Sequence, residues 1–296
     1  MKRTFSDCHP AVSLIYFTAV IAGTVRFRHP VYLAISVSRA CIYSACCRGG
    51  RSALRNLCLL PFAAVYALWY SLHTHFGVTV LAQNGIGNNM TAEALAGGLL
   101  LGLSAVGAVV WLSCFFAVFS ADRVTDLFGK ISPRLALFSA ALFRMLPRIA
   151  EEAKKMNTAR SGIGLGIGQG SAVQRMRNAL RLFSMLVTET VDALMTSSDS
   201  VRSRGGSLRG RSAFSVYRFD NRDRLFVVVL FAFLTLTKMG ELLGQTAFVY
   251  NPRILWVEPG PLSYVFYSGY AALCLMPSVL DLWAERKFDR AVKNMK

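Results

Sequence analysis

Long apolar runs alternate with short polar breaks along most of this chain. The stretches Ala11 to Val25, Pro30 to Cys47, Leu54 to Leu72, Thr91 to Phe119, Leu225 to Leu243 and Pro261 to Trp283 each approach the length of about twenty residues that a helix needs to cross a bilayer. They predict six membrane-spanning helices. Between the fourth and fifth, a stretch of about a hundred residues keeps a helical period instead of a continuous apolar one. Ser132 and Pro133 mark a helix start there, the serine as cap and the proline in the first turn. That helix runs through Leu135, Phe138, Leu142 and Met145 towards Arg160, with Pro147 expected to kink it. A second helix carries Met176, Leu180, Phe183, Val187, Val191 and Leu194 at steps of three and four, which makes one apolar stripe. It stops near Gly205 and Gly206. The alternating Gly162, Gly164, Gly166, Gly168 and Gly170 between the two helices read as a flexible hinge. They do not meet the G-x-G-x-x-G spacing of a phosphate cradle, and no strand precedes them.

The predicted fold class is all-α: a polytopic membrane protein with about six transmembrane helices and two long amphipathic helices outside the bilayer. Residues 1–119 form an N-terminal membrane region of about four spans, 120–224 a cytoplasmic helical domain, and 225–296 two further spans with a basic tail. Composition supports the division. The chain is 54% hydrophobic with mean hydropathy +0.42, yet its formal charge is +17, so apolar and basic residues are segregated. No Lys or Arg occurs from Asn56 to Asp122, while roughly half of the 33 basic residues fall between Arg123 and Arg224. Basic residues accumulate on the cytoplasmic side, which places the central domain and both termini inside and makes the chain a multi-pass protein of the cell membrane. Arg48, Arg51 and Arg55 fall inside, as do Arg286, Lys287, Arg290, Lys293 and Lys296 of the tail; the stretches from His73 to Met90 and from Gly244 to Gly260 fall outside. The break Arg26-Phe27-Arg28-His29-Pro30 conflicts with the charge rule, because strict alternation puts two arginines outside. A tilted or re-entrant first pair is the alternative.

Chemistry is sparse. The seven cysteines make no C-x-x-C pair and lie mostly in apolar runs, where cysteine acts as a small filler. His73 and His75 are the one close histidine pair, with no cysteine or acidic cluster beside them, so no metal site is expected. Phosphate-loop, H-E-x-x-H and G-x-S-x-G motifs are absent. The chain is therefore expected to be non-catalytic and to bind no cofactor of its own. Asp122, Asp126, Glu151, Glu152, Glu189, Asp192 and Asp199 lie in or beside the central helices, and the six spans read as almost free of ionisable groups. Ion-coupled transport uses such groups within the spans.

Two triplets stand out, Ala159-Arg160-Ser161 and Ser203-Arg204-Gly205. Each closes one of the amphipathic helices. An arginine there can offset the negative helix end or meet a lipid phosphate. It can also grip a partner's carboxylate through two parallel hydrogen bonds, and the small neighbours on either side let a partner's backbone approach. The recurrence of the pattern favours docking of a paired partner.

These features together resemble the transmembrane, or T, component of energy-coupling factor transporters, the vitamin and metal-ion importers of the ATP-binding-cassette superfamily. The resemblance runs through Arg28 to Ser36, His75 to Leu81, Asp122 to Gly129, Phe143 to Arg148, both triplets, and Arg211 to Asp220. It implies that Arg160 and Arg204 each insert into one of two ATPase subunits, which supply ATP and Mg2+ chemistry. It also implies that the apolar faces of the same helices pack against a small membrane-embedded substrate-binding S component. Ser161 stands where the first triplet of that family usually ends in glycine, Ser203 where the second begins with alanine, and Gly206 where an aromatic residue often follows. Two rival readings are an ATPase-independent secondary transporter or channel, and a membrane-tethered binder of nucleic acid or anionic lipid. The regular apolar stripes argue against a purely electrostatic surface, so no nucleic-acid partner is expected.

Overall fold

The computed structural model describes residues 5, 8–74, 76–83, 89–206, 208, 217, 219–250, 253–256 and 258–293. His75, the stretch 211–216 and Arg218, which carry part of the family resemblance, lie outside the described residues, as do the chain ends 1–4 and 294–296. The chain divides into two units. One, formed by residues 1–120 and 217–296, holds α1 (Pro10–Arg26), α2 (Pro30–Arg48), α3 (Gly50–Leu57), α4 (Leu60–His73), β1 (Val80–Gln83), β2 (Asn89–Thr91) and α5 (Ala92–Val118). The other, residues 121–216, holds α6 (Ala121–Ile131), α7 (Pro133–Gly162) and α8 (Ala172–Ser203). The first unit is completed by α9 (Asn221–Leu242), β3 (Phe248–Val249), β4 (Leu255–Trp256) and α10 (Pro261–Lys293).

The first two helices begin in the same way. His9 and His29 each precede a proline, and each accepts a hydrogen bond at Nδ1 from the backbone N–H two residues on, Ala11 at 3.1 Å and Val31 at 3.3 Å. Proline has no N–H to leave unsatisfied in a first turn, so the His-Pro pair caps and starts the helix together. Among the described residues, four helices are long and apolar enough to cross a membrane: α2, α5, α9 and α10 over Pro261–Trp283. With 17 residues α1 spans about 26 Å, and with 14 residues α4 spans about 21 Å, short of a hydrocarbon core of about 30 Å.

Side-chain contacts set the relative directions of α1, α2, α5, α9 and α10. His9 meets Phe219 while Arg26 meets Glu241, so α1 and α9 run parallel. Phe17 touches Phe115 and Tyr43, and Thr24 bonds Ser36, so α5 and α2 run against α1. The Phe5 N–H donates to Asp281 and Phe27 meets Tyr270 edge to face, so α10 also runs against it. Consequently the α1–α2 turn, the β1–β2 hairpin and the β3–β4 hairpin share one face, where Arg28 donates to the Tyr250 hydroxyl at 3.0 Å and Phe76 packs on Tyr250. The α1–α2 pair is thus antiparallel, with Arg26 and Arg28 on that face.

The core of this unit is aromatic. Trp111, Tyr16, Tyr32, Tyr43, Tyr270, Phe5 and Phe17 are almost wholly buried. At its centre the Ser36 hydroxyl lies 2.6 Å from Thr24 Oγ1 and accepts from Trp111 Nε1 at 3.0 Å, joining α1, α2 and α5. On the other side of α5, glycines let α4 approach closely: a Cβ at Gly102 would lie 2.8 Å from the Ala63 carbonyl oxygen and 2.9 Å from its Cα.

Two expectations need correction. The third apolar run, Leu54 to Leu72, is not one helix. It breaks at Cys58 and Leu59 because Pro61 lacks the N–H that a continuous helix needs there. The spans are also not free of ionisable groups. Arg39 lies nine residues from either end of α2 and is half-buried, while α9 carries Lys238 and Glu241 and α10 carries Asp281. The all-α expectation agrees with the mostly helical chain, whose described residues also include two short antiparallel hairpins in its turns.

Two outcomes follow for the purified protein in detergent. Replacing Gly102 by Ala lowers unfolding stability by about 1–3 kcal/mol, against a helix-propensity gain of about 1 kcal/mol, as read by thermal unfolding. His29 is buried, with Nε2 lying 3.2 Å from the Tyr267 hydroxyl, and burial holds its pKa below the usual value. The unfolded chain then takes up this proton first. The stability contributed by neutral His29 is complete above pH of about 6.5 and is lost as pH falls from there towards the lower folded value. His29→Asn, which keeps a capping side chain, flattens the fall in melting temperature between pH 7.5 and 5.5 (roughly one unit to either side of the ordinary histidine value).

Candidate partner-docking surface

In the second unit α7 starts at Ser132 in extended conformation with Pro133 in the first turn, though the Ser132 side chain makes no capping bond. It continues through Pro147 as one 30-residue helix, leaving the carbonyl of Phe143 without its usual helical donor. A capping box opens α8: the Ser171 N–H donates to Gln174 Oε1 at 3.0 Å and the Gln174 N–H to Ser171 Oγ at 3.5 Å. The helices meet through Met145, Arg148, Ile149 and Glu152 on α7, facing Leu186, Glu189, Thr190 and Ala193 on α8.

The glycine run reads in sequence as a hinge; in the structure it is a hydrogen-bonded turn. Gly164 has φ of +79°, a left-handed conformation that suits glycine, and the Leu165 N–H returns to the Arg160 carbonyl at 2.9 Å. Side chains of both helices bind the run. The Ile167 N–H donates to Asn157, Gln169 Nε2 to the Ser161 carbonyl, and buried Asn178 to the Gly166 carbonyl, all at 3.0–3.1 Å. Gly162 and Gly168 face open space, and Gly170 has φ of +89°.

Both triplets fall at helix C-termini. Ala159, Arg160 and Ser161 occupy the last turn of α7; Ser203 ends α8, Arg204 caps it, and Gly205 follows with φ of +79°. Their arginines differ. Arg160 is half-buried and folds back on the tip, its Nε donating to the Leu165 carbonyl and its Nη1 to Met185 Sδ, both at 3.3 Å. Arg204 is exposed. Neither forms an ion pair among the described residues. Met185 precedes Arg204 by 19 positions, about 28 Å of helix, so the two cations are held far apart.

The nine apolar residues singled out from the sequence are all left uncovered within the chain. Leu135, Phe138 and Leu142 on α7, and Met176, Leu180, Phe183, Val187, Val191 and Leu194 on α8, are between 42% and 66% exposed. In α8 the buried residues are Asn178 and Leu182 instead. At about 100° per residue, the exposed stripe lies roughly a third of a turn around α8 from the side that meets α7. Sequence reasoning missed Arg123, which is 2% exposed in α6; nothing in the local pattern separates it from the other basic residues of this region.

Among the described residues no group of three or more His, Cys, Asp or Glu side chains could hold a metal ion. No protein-family model matches the chain, and no curated protein matches it.

The uncovered stripe and the buried pair give opposite expectations. Leu182→Ala costs about 2–5 kcal/mol and raises hydrogen exchange along α8, whereas Leu180→Ala and Phe183→Ala stay within about 0.5 kcal/mol and leave exchange unchanged.

Proposed function

We propose that this chain is the non-catalytic coupling subunit of an energy-coupling-factor-type importer. In this reading it passes ATP-driven motion from two ATPase subunits to a substrate-binding S component that takes up a vitamin or a metal ion. One observation carries the reading: two long helices, each closed by an arginine with small neighbours, present apolar stripes that the chain itself leaves uncovered. Contiguous exposed apolar surface marks an interaction site. A separation of about 28 Å or more along α8 suits one arginine in each of two partners better than two in a single groove. The resemblance set out from the sequence supports the same assignment.

On this reading the work divides by residue. Arg160 and Arg204 each hold an ATPase carboxylate in bidentate fashion, with Ala159, Ser161, Ser203 and Gly205 leaving room for the partner's backbone. When the ATPases close on ATP, the two grips move and α7 and α8 move with them. The apolar stripes carry that motion to the S component, which alone contacts the cargo. The membrane-length helices α2, α5, α9 and α10 anchor the subunit in the cell membrane, with α7 and α8 on its cytoplasmic side.

A specific observation favours a second reading, an ATPase-independent secondary transporter. Arg39, half-buried at the midpoint of α2, is the kind of intramembrane charge that such transporters use. Uptake measured with ATP depleted and ion gradients intact separates the two: the coupling reading expects none.

Its direct test is the double variant Arg160→Glu and Arg204→Glu. Breaking a buried charge pair costs about 3–5 kcal/mol, so copurification of the ATPases and uptake are both lost while the subunit still inserts in the membrane. Normal assembly and transport by that variant would sink the docking assignment.

A further inference from the structure

On the face that carries the hairpins, a groove of about 650 Å³ opens between α1 and α9. Its floor is apolar and shallow-walled: Ala19, Ala22, Gly23 and Val25 from α1, and Leu234 from α9. Three cations, Arg26, Arg28 and Lys238, stand at its rim with the Phe27 ring. Among the described residues a single carboxylate, Glu241, answers them, 3.6 Å from Arg26 and 2.9 Å from Lys238. Lys238 also lies 4.7 Å above the Phe27 ring, and Arg28 spends one N–H on the Tyr250 hydroxyl. The rim therefore keeps an excess of positive charge, with the Arg26 side chain 71% exposed.

The level of these groups matters as much as their charge. The 22 residues of α9 span about 33 Å, close to the thickness of the hydrocarbon core of about 30 Å. Lys238, one turn from the end of α9, and Arg26, the last residue of α1, thus stand where lipid headgroups lie. Ala19 is seven residues deeper on α1, about 10 Å further in, where acyl chains lie. Cations above an apolar trough are the complement of one kind of molecule.

We propose that this groove binds one anionic phospholipid, its phosphate held by Arg26, Arg28 and Lys238 and the upper part of one acyl chain laid along Ala19, Ala22 and Gly23. The site explains why basic residues persist on the face where the charge rule expects few: the lipid's charge offsets theirs. It is independent of the coupling role and stands or falls on its own measurement.

The full-length protein is purified in neutral detergent, stripped of lipid, and titrated with dioleoyl phosphatidylglycerol, dioleoyl phosphatidylcholine or glycerol 3-phosphate, with native mass spectrometry counting what is bound and thermal unfolding reading its effect. Phosphatidylglycerol binds at one preferred site and raises the melting temperature; the other two do neither. Each of Arg26→Gln and Arg28→Gln weakens that binding roughly fivefold, the usual contribution of one basic residue at an anionic membrane surface. Ala22→Leu leaves all three cations in place, fills the groove and weakens the same lipid by at least as much. Arg253→Gln, on the exposed loop between α9 and α10, changes nothing. Equal binding of phosphatidylcholine, or unchanged affinity in the Ala22→Leu variant, overturns the proposal. Binding of glycerol 3-phosphate as tight as that of the intact lipid does so too, because it leaves a headgroup anion site with no role for the groove.

Discussion

A small hydrogen-bonded junction holds the membrane-length unit together. Ser36 on α2 joins Thr24 on α1 and the indole of Trp111 on α5, and the aromatic core grows outward from it. Tyr16, Phe17 and Tyr43 pack on Trp111, α9 enters through Phe226 against Phe5 and Tyr16, and α10 enters through Tyr270 against Phe27 and Tyr32. In a lipid environment apolar side chains gain little by leaving one apolar neighbour for another, so tight packing and interhelical hydrogen bonds must hold helices together. The junction supplies the second of these, and the Gly102–Ala63 approach supplies the first on the far side of α5.

Much of this unit was legible in the hydropathy pattern, and the failures have physical causes. The run Thr91 to Phe119 lies within one residue of α5 at each end, because capping threonine and apolar content change together there. The start of α9 was placed at Leu225, four residues late, since Arg222, Asp223 and Arg224 are charged; Asp220 and Asp223 start the helix by a backbone bond that hydropathy does not register. The break before α4 was hidden because Leu57, Cys58, Leu59 and Leu60 continue the apolar run, leaving Pro61 as its one signal. The His-Pro pairs that start α1 and α2 were visible as letters, yet histidine is a rare cap and hydropathy does not register the bond it accepts. Arg39 was overlooked for the opposite reason: one charge within an apolar window hardly lowers its mean.

In the second unit the apolar period of α8 marks a stripe that the chain leaves exposed. The same spacing that buries a stripe in a self-contained helical domain here leaves the stripe open and buries Asn178 and Leu182. Periodicity records that a helix has an apolar side, and only the neighbours decide whether that side is spent internally. A surface with this many exposed Leu, Val, Phe and Met side chains invites association, which gives the composition of α8 a reason that stability alone does not.

The two arginines pose the remaining question, because the sequence presents them as equivalent and the fold does not. Arg204 stands exposed at a helix cap, whereas Arg160 is engaged with the Leu165 carbonyl and Met185 sulfur of its own hairpin tip. If both serve as docking arms, Arg160 must release those contacts first. Those contacts already have a charged donor, but a carboxylate would add the attraction of opposite charge and a second parallel bond in the fork geometry. Exchanging a carbonyl and a thioether for two carboxylate oxygens is therefore favourable on balance. On the docking reading, the tip contacts would hold the guanidinium in a defined place until a carboxylate arrived, and engagement at Arg160 would require breaking two side-chain contacts that engagement at Arg204 would not. Two arms with the same chemistry would then differ in the order in which they close.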